Sequence, residues 1–191
     1  MNLPQVEIFQ ALVDLVGLPT EFMQPGELET LVTLVASVNP RVMIEIGVNV
    51  GRTAKVMLDY FPSLRNYVGV DVMSGYVPAL HVQKNEIPMN PGHLAIDYPR
   101  FQLIIKQRGS LDLEPINLPQ ADVVFIDGDH GREALVHDTM LARSVINKDG
   151  IIIWHDYNNH IEDVDQFLET EMLSNHDIRH VTNTWLAFER T

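Results

Sequence analysis

Apolar residues recur along this chain in two rhythms. Residues 4 to 17 and 26 to 38 carry them at helical spacing. In the second stretch Leu28, Leu31, Val32, Leu34, Val35 and Val38 mark one stripe before Asn39-Pro40 stops it. Beyond it the rhythm alternates. Strands are predicted near 42 to 46, 66 to 71, 101 to 106, 121 to 127 and 150 to 155, with helices near 52 to 60, 132 to 146 and 161 to 173. The runs Tyr67-Val-Gly-Val70, Leu103-Ile-Ile105, Val123-Val-Phe-Ile126 and Ile151-Ile-Ile-Trp154 are nearly continuous, as parallel strands covered on both faces require. This alternation predicts a doubly wound α/β fold whose ligands sit at the carboxyl ends of the strands. Two extended runs, 178 to 181 and 184 to 189, are expected to close a mostly parallel sheet as a terminal antiparallel hairpin. Nothing divides the chain, so 1 to 191 reads as one domain, with 1 to 38 as two N-terminal helices.

Residues 74 to 100 break the pattern. They hold Pro78, Pro88, Pro91, Pro99, Gly75 and Gly92. A segment this long and irregular in a compact domain is usually a functional lid or disordered, and this one has enough apolar residues to pack partly. It reads as a substrate lid with a short helix around 79 to 86, and Tyr76, His81, Tyr98 and Arg100 suit a sugar, a phenol or a peptide.

Charge narrows the partners. A formal net charge of -13 on 191 residues repels nucleic-acid backbones and anionic membranes, leaving small neutral or cationic substrates. With no cysteine there is neither a disulfide nor a thiolate zinc site. No apolar run reaches the roughly 18 residues that suggest a membrane span. The start lacks the look of a signal peptide, so the cytoplasm is the expected location. The apolar N-terminal helices offer a surface for a homo-oligomer.

Candidate chemistry gathers where strands end. Glu45-Ile-Gly-Val-Asn-Val-Gly-Arg-Thr53 reads as a strand, a glycine turn and a helix start, with Gly47 and Gly51 letting backbone approach a ligand. Its G-x-x-x-G spacing matches neither the dinucleotide fingerprint nor the P-loop. Taken alone it is equally a plain turn. Asp71 ends the second strand about 20 residues beyond the turn, where an acid accepts both ribose hydroxyls. Gly109-Ser110, after the third strand, could border an adenine ring.

The fourth strand runs into Phe125-Ile-Asp-Gly-Asp-His-Gly131, so Asp127, Asp129 and His130 fall within four residues. A divalent cation would organise such a group, with Asp127 as a hard oxygen ligand for magnesium or manganese. For Asp129, capping the next helix is at least as good a reading. His130, with an unperturbed pKa of about 6.5, suits a general base for a hydroxyl. The fifth strand ends Trp154-His-Asp-Tyr157, which places Asp156 as a second ligand. His155 is then a third ligand or a group orienting one. Asn158 and Asn159 could add an oxygen.

The order E-I-G-V-N-V-G-R-T, Y-V-G-V-D, F-I-D-G-D-H and D-G-I-I-I-W-H-D-Y resembles a class I S-adenosylmethionine-dependent methyltransferase with a Rossmann-like sheet. More narrowly it is similar to the branch of macrocin-type sugar O-methyltransferases and cephalosporin hydroxylase-like proteins. The resemblance covers about residues 41 to 160. It implies S-adenosylmethionine against Glu45, Gly47, Val48, Asn49, Gly51 and Thr53, with Asp71 and Val72 at the ribose and Gly109, Ser110 and Asp127 completing the pocket. It also implies a metal on Asp127 and Asp156 and His130 as the base; His155, the third ligand suggested by the residues, is where the chain departs from the family. A glutamate is the macrocin-type residue at the place of His155, and imidazole there shifts the balance from magnesium toward a softer ion. The expected reaction is metal-assisted O-methylation of a small molecule or sugar. A hydroxylase-like activity, or a non-catalytic binding protein of the same fold, is the alternative.

Overall fold

Eight strands form one sheet in the computed structural model, which describes residues 2–8, 22–80 and 87–191. They are β1 (Gln5–Val6), β2 (Val42–Ile46), β3 (Asn66–Val72), β4 (Phe101–Lys106), β5 (Ala121–Ile126), β6 (Ile146–Trp154), β7 (Ile178–Val181) and β8 (Ala187–Arg190). The described helices are α1 (Glu27–Ala36), α2 (Arg52–Tyr60), α3 (Arg132–Val145) and α4 (Glu162–Leu173), with 3-10 turns at Gly109–Asp112 and Pro115–Asn117. The sheet order is β1-β7-β8-β6-β5-β2-β3-β4. β8 runs antiparallel to both its neighbours; every other pairing is parallel. None of the described helices is long and apolar enough to cross a membrane.

The unbroken apolar strands are explained by a core on each face. Ile44, Ile46, Val68, Val70, Val124, Ile126, Ile152 and Trp154 pack with residues of α3 and α4. Their alternates Met43, Tyr67, Val123, Phe125, Ile151 and Ile153 pack with residues of α1 and α2. Period-two alternation therefore buries both sides of β2, β5 and β6. Ile151, Ile152 and Ile153 are each fully buried, which stabilises the centre of the sheet by about 1.5–3 kcal/mol per side chain.

Several expectations change. The first predicted helix does not start at residue 4, because Gln5 and Val6 pair with His180 and Val181 as a parallel edge strand; its remainder, 9 to 17, lies outside the described residues. Most of the lid helix expected at 79 to 86 also lies outside them, and residues 79 and 80 form a bend. The fifth strand begins earlier, at Ile146, with Asp149 at φ 65 inside it. The final hairpin strand is shifted to Ala187–Arg190. Leu28, Leu31, Val32, Leu34 and Val35, the stripe of α1, are buried within this chain.

Candidate functional site

Strand register lines up the predicted strand-end residues. Ile46 is opposite both Val70 and Ile126, and Ile126 is opposite Trp154. The next residues, Asp71, Gly47, Asp127 and His155, therefore form one row across four strands. Backbone bonds continue the ladder into that row: Gly47 N–H donates to Val70 O at 2.8 Å, Asp127 N–H to Ile46 O at 2.8 Å and His155 N–H to Ile126 O at 3.0 Å.

The glycine turn is shaped by close backbone approach. Gly47 has φ +89, and a Cβ there would lie 2.0 Å from the Asp127 carbonyl oxygen. Gly51, at φ +90, precedes α2 and would put a Cβ 3.0 Å from the Gly92 Cα. Segment 87 to 98 lies across the turn, with Gly92 N–H donating to Asn49 O at 2.7 Å and Leu94 N–H to Val50 O at 3.0 Å. This half of the expected substrate lid is thus joined to the predicted cofactor turn.

Asp71 holds the turn from beneath. Its Oδ2 accepts the amides of Val48 at 3.0 Å and Asn49 at 2.7 Å, and its Oδ1 accepts that of Val72 at 2.6 Å. A carboxylate has about four lone-pair sites, so one remains for a ligand hydroxyl. Burial raises the Asp71 pKa despite those three bonds. Glu45 is fully enclosed and accepts from the Tyr67 hydroxyl at 2.9 Å. Burial lifts its pKa well above the usual value, and the charges of Asp127 and Asp71 add to the effect.

Asp127, His130 and Asp156 offer ligand atoms within 4.8 Å of one another. Asp156 has φ 63, and Asn159 Nδ2 donates to its Oδ1 at 2.5 Å. His130 Nε2 is 2.7 Å from Asp156 Oδ2, and His155 Nδ1 is 3.0 Å from the same oxygen and 3.2 Å from Asp127 Oδ1. None of these contacts has hydrogen-bond geometry, so both buried ring nitrogens are without a hydrogen-bond partner. Two orphaned nitrogens aimed at two carboxylates fit a cation. Burial opposes charge on both imidazoles. Asp156, with Asp127 behind it, outweighs burial and raises the pKa of His130. Asp127 and Asp156 together hold that of His155 well above the ordinary histidine value.

His155 stands behind the other three. Ile151 and Ile153 face α1, so the alternation turns the His155 ring the same way. Its Nε2 lies 3.1 Å from Glu27 Oε2, and its ring is flanked edge-on by Phe125 and Trp185 at 6.1 and 6.0 Å. Sequence reasoning missed Glu27, since nothing in a helical stripe signals a partner 128 residues away.

The other candidates separate. Asp129 is a structural anchor: it accepts from Tyr76 Oη at 2.7 Å, Ala79 N–H at 3.2 Å and Gly131 N–H at 2.8 Å. Asn158 is exposed, and its amide donates to Asp165 Oδ1 at 2.6 Å, so it is no part of the cluster. Asn159 turns its amide nitrogen, not its oxygen, toward Asp156.

Two cavities meet at this edge. The smaller, about 450 Å³, is lined by Glu45, Gly47, Val48, Asn49, Thr53 and Asp127 among others. The larger, about 680 Å³, takes in Asp71, Val72, Gly109, Ser110, His130, His155 and Asp156. Gly47, Asn49 and Asp127 line both. Gly51 lines neither and serves the turn alone.

Residues 44–157 match a family model described as a methyltransferase domain. Over 120 residues the chain is 28% identical to an uncharacterized protein of Acanthamoeba polyphaga mimivirus, a match covering 61% of this chain and 52% of that protein. The chain thus spans about half the length of the curated relative it matches. A Staphylococcus aureus structure, provisionally named a caffeoyl-CoA O-methyltransferase, superposes with a TM-score of 0.67 at 13% identity, covering 91% of this chain and 86% of that one. The O-methyltransferase from Bacillus cereus in complex with SAH gives 0.59 at 15% identity, over 91% and 84%. At such identities the likeness is one of fold.

Proposed function

Because the chain belongs to the methyltransferase domain family, we propose that it is an S-adenosylmethionine-dependent O-methyltransferase that uses a divalent cation to act on a hydroxyl of a small molecule or sugar. The observation that carries this reading is the convergence of Asp127, His130 and Asp156 where the two cavities meet. The solved relative from Bacillus cereus, described as in complex with SAH, supports the choice of cofactor.

The larger cavity suits the nucleoside, with the spare lone pair of Asp71 for a ribose hydroxyl and the Gly109-Ser110 turn beside the base. The smaller cavity suits the methionine portion, along Gly47, Asn49 and Thr53. Asp127 and Asp156 are the residues that would hold the cation. Bound S-adenosylmethionine supplies an activated methyl group, and a bound cation lowers the pKa of the acceptor hydroxyl. What is left to the protein is positioning and proton removal. His130 would take the proton, and Asp156, whose Oδ2 lies 2.7 Å from its Nε2, favours the resulting imidazolium. Tyr76, Pro78, Leu80 and Trp185 line the same cavity and would flank the acceptor.

The test is S-adenosylhomocysteine formation from a panel of phenols and sugars. His130→Ala is expected to keep S-adenosylmethionine affinity and lose roughly 10²–10⁴-fold in turnover. Full turnover in that variant removes His130 from the mechanism, and no calorimetric heat with S-adenosylmethionine removes the proposed cofactor.

A further inference from the structure

Glu27 is a carboxylate with no exposed surface, and the proposed reaction gives it no role. It opens α1. Its Oε1 accepts the Trp185 amide, and its Oε2 accepts the Gln24 amide at 2.9 Å and faces His155 Nε2 at 3.1 Å. Two backbone donors thus converge on this side chain at the helix N-terminus. An oxygen that is already an acceptor calls for N–H on His155 Nε2. The other nitrogen, Nδ1, faces Asp127 and Asp156, and it is there that a cation held by both carboxylates would take the place of the ring proton. That nitrogen is buried and has no hydrogen-bond partner.

The spacing is compatible with ligands around one ion as well as with direct ion pairs. Donor atoms about 2.1 Å from a common cation and at right angles to each other stand about 3 Å apart. The distances from Nδ1 to Asp156 Oδ2 and Asp127 Oδ1 are 3.0 and 3.2 Å.

We propose that Glu27 is a positioning residue that holds His155 as a nitrogen ligand, making this a mixed imidazole and carboxylate centre that prefers a transition metal such as manganese or cobalt to magnesium. The proposal rests on the reading of the site as cation-assisted and adds to it the class of cation and the residue that selects it. Asp127, Asp156 and His155 then supply two oxygens and one nitrogen, and His130 is left for the acceptor proton. Imidazole favours first-row transition ions, whereas magnesium demands oxygen and retains water. Hydrogen-bonded partners of this kind typically alter metal affinity 10–100-fold.

Calorimetric titration of the full chain with Mn²⁺, Co²⁺ and Mg²⁺ tests the preference. Mn²⁺ and Co²⁺ are expected to bind at least about tenfold more tightly than Mg²⁺. Glu27→Gln is expected to weaken Mn²⁺ binding by about 10–100-fold while metal-free S-adenosylmethionine affinity stays within about twofold. Pulsed electron paramagnetic resonance of Mn²⁺-loaded His130→Ala supplies a readout that does not depend on the Glu27 variant folding. A coupled imidazole nitrogen should remain in that protein, and its absence overturns the proposal. Equal affinity for Mn²⁺ and Mg²⁺, or unchanged Mn²⁺ affinity in a folded Glu27→Gln, overturns it as well. Failure to bind S-adenosylmethionine would instead remove the methyltransfer reading, with the nitrogen coupling still measurable.

Discussion

The hydroxyl of Tyr76 donates to Asp129 Oδ2 at 2.7 Å, and through that bond the start of the irregular segment is fastened to the turn that carries His130. Asp129 also accepts the Ala79 and Gly131 amides, so one carboxylate joins the segment to the beginning of α3. The other half of the segment is joined to the glycine turn through Asn49 and Val50. An acceptor covered by this segment would therefore sense both ends of the site.

Tyr76→Phe removes only the donor. The acceptor KM is expected to rise by up to about tenfold, in keeping with the roughly 0.5–1.5 kcal/mol of a typical hydrogen bond, with S-adenosylmethionine affinity unchanged. Steady-state kinetics beside calorimetry would check this; an equal loss of cofactor affinity would refute a role confined to the acceptor side.

Asp71→Asn keeps the size of the side chain but brings an NH₂ group against backbone amides that now donate to a carboxylate. Bonds to charged groups contribute about 1.5–3 kcal/mol, so S-adenosylmethionine affinity should fall by roughly tenfold or more. Unchanged affinity would show that the turn holds its shape without Asp71.

Gly47→Ala meets two obstacles at once, a φ of +89 and a Cβ 2.0 Å from the Asp127 carbonyl oxygen. Backbone must shift where β5 ends. Stability to urea should drop by roughly 3 kcal/mol or more, and the cluster should lose cation affinity with it.

Asp122 gives a pH signature away from the site. Its Oδ2 accepts the Arg41 and Val42 amides at 2.7 and 3.0 Å, and its Oδ1 accepts from Asn147 Nδ2 at 2.9 Å. Partial burial raises its pKa, but these bonds outweigh burial and hold it below the ordinary carboxylate value. Since the folded pKa is depressed, the stabilisation is present above the unfolded value of about 3.9 and is lost as pH falls through the folded one. Asp122→Ala should cost about 1–2 kcal/mol at pH 7, with the difference from wild type shrinking below about pH 4 in urea unfolding. A pH-independent difference would assign the loss to packing.

Much of this fold and site was legible along the chain. Continuous runs such as Ile151-Ile-Ile-Trp154 show strands buried on both faces, and in a parallel sheet the residue after each run has to emerge at the same edge. That is why Gly47, Asp71, Asp127 and His155 group together from the sequence alone. The two-residue β1 was not legible, because its pairing with His180 and Val181 depends on a strand at the far end of the chain. Asp129 was ambiguous for a related reason, as only the fold brings Tyr76 and Ala79 to it.

The sequence by itself determined the alternation of elements, the burial of the central strands on both faces, and the row of polar residues at the carboxyl edge. These follow from periodicity and local backbone geometry. Tertiary structure alone decided how those residues are used: that Asp71 holds the glycine turn from beneath, that Asn158 points away, and that Glu27 lies behind His155. Such contacts join residues dozens to more than a hundred positions apart, and what brings them together is the packing of both cores, not any spacing along the chain.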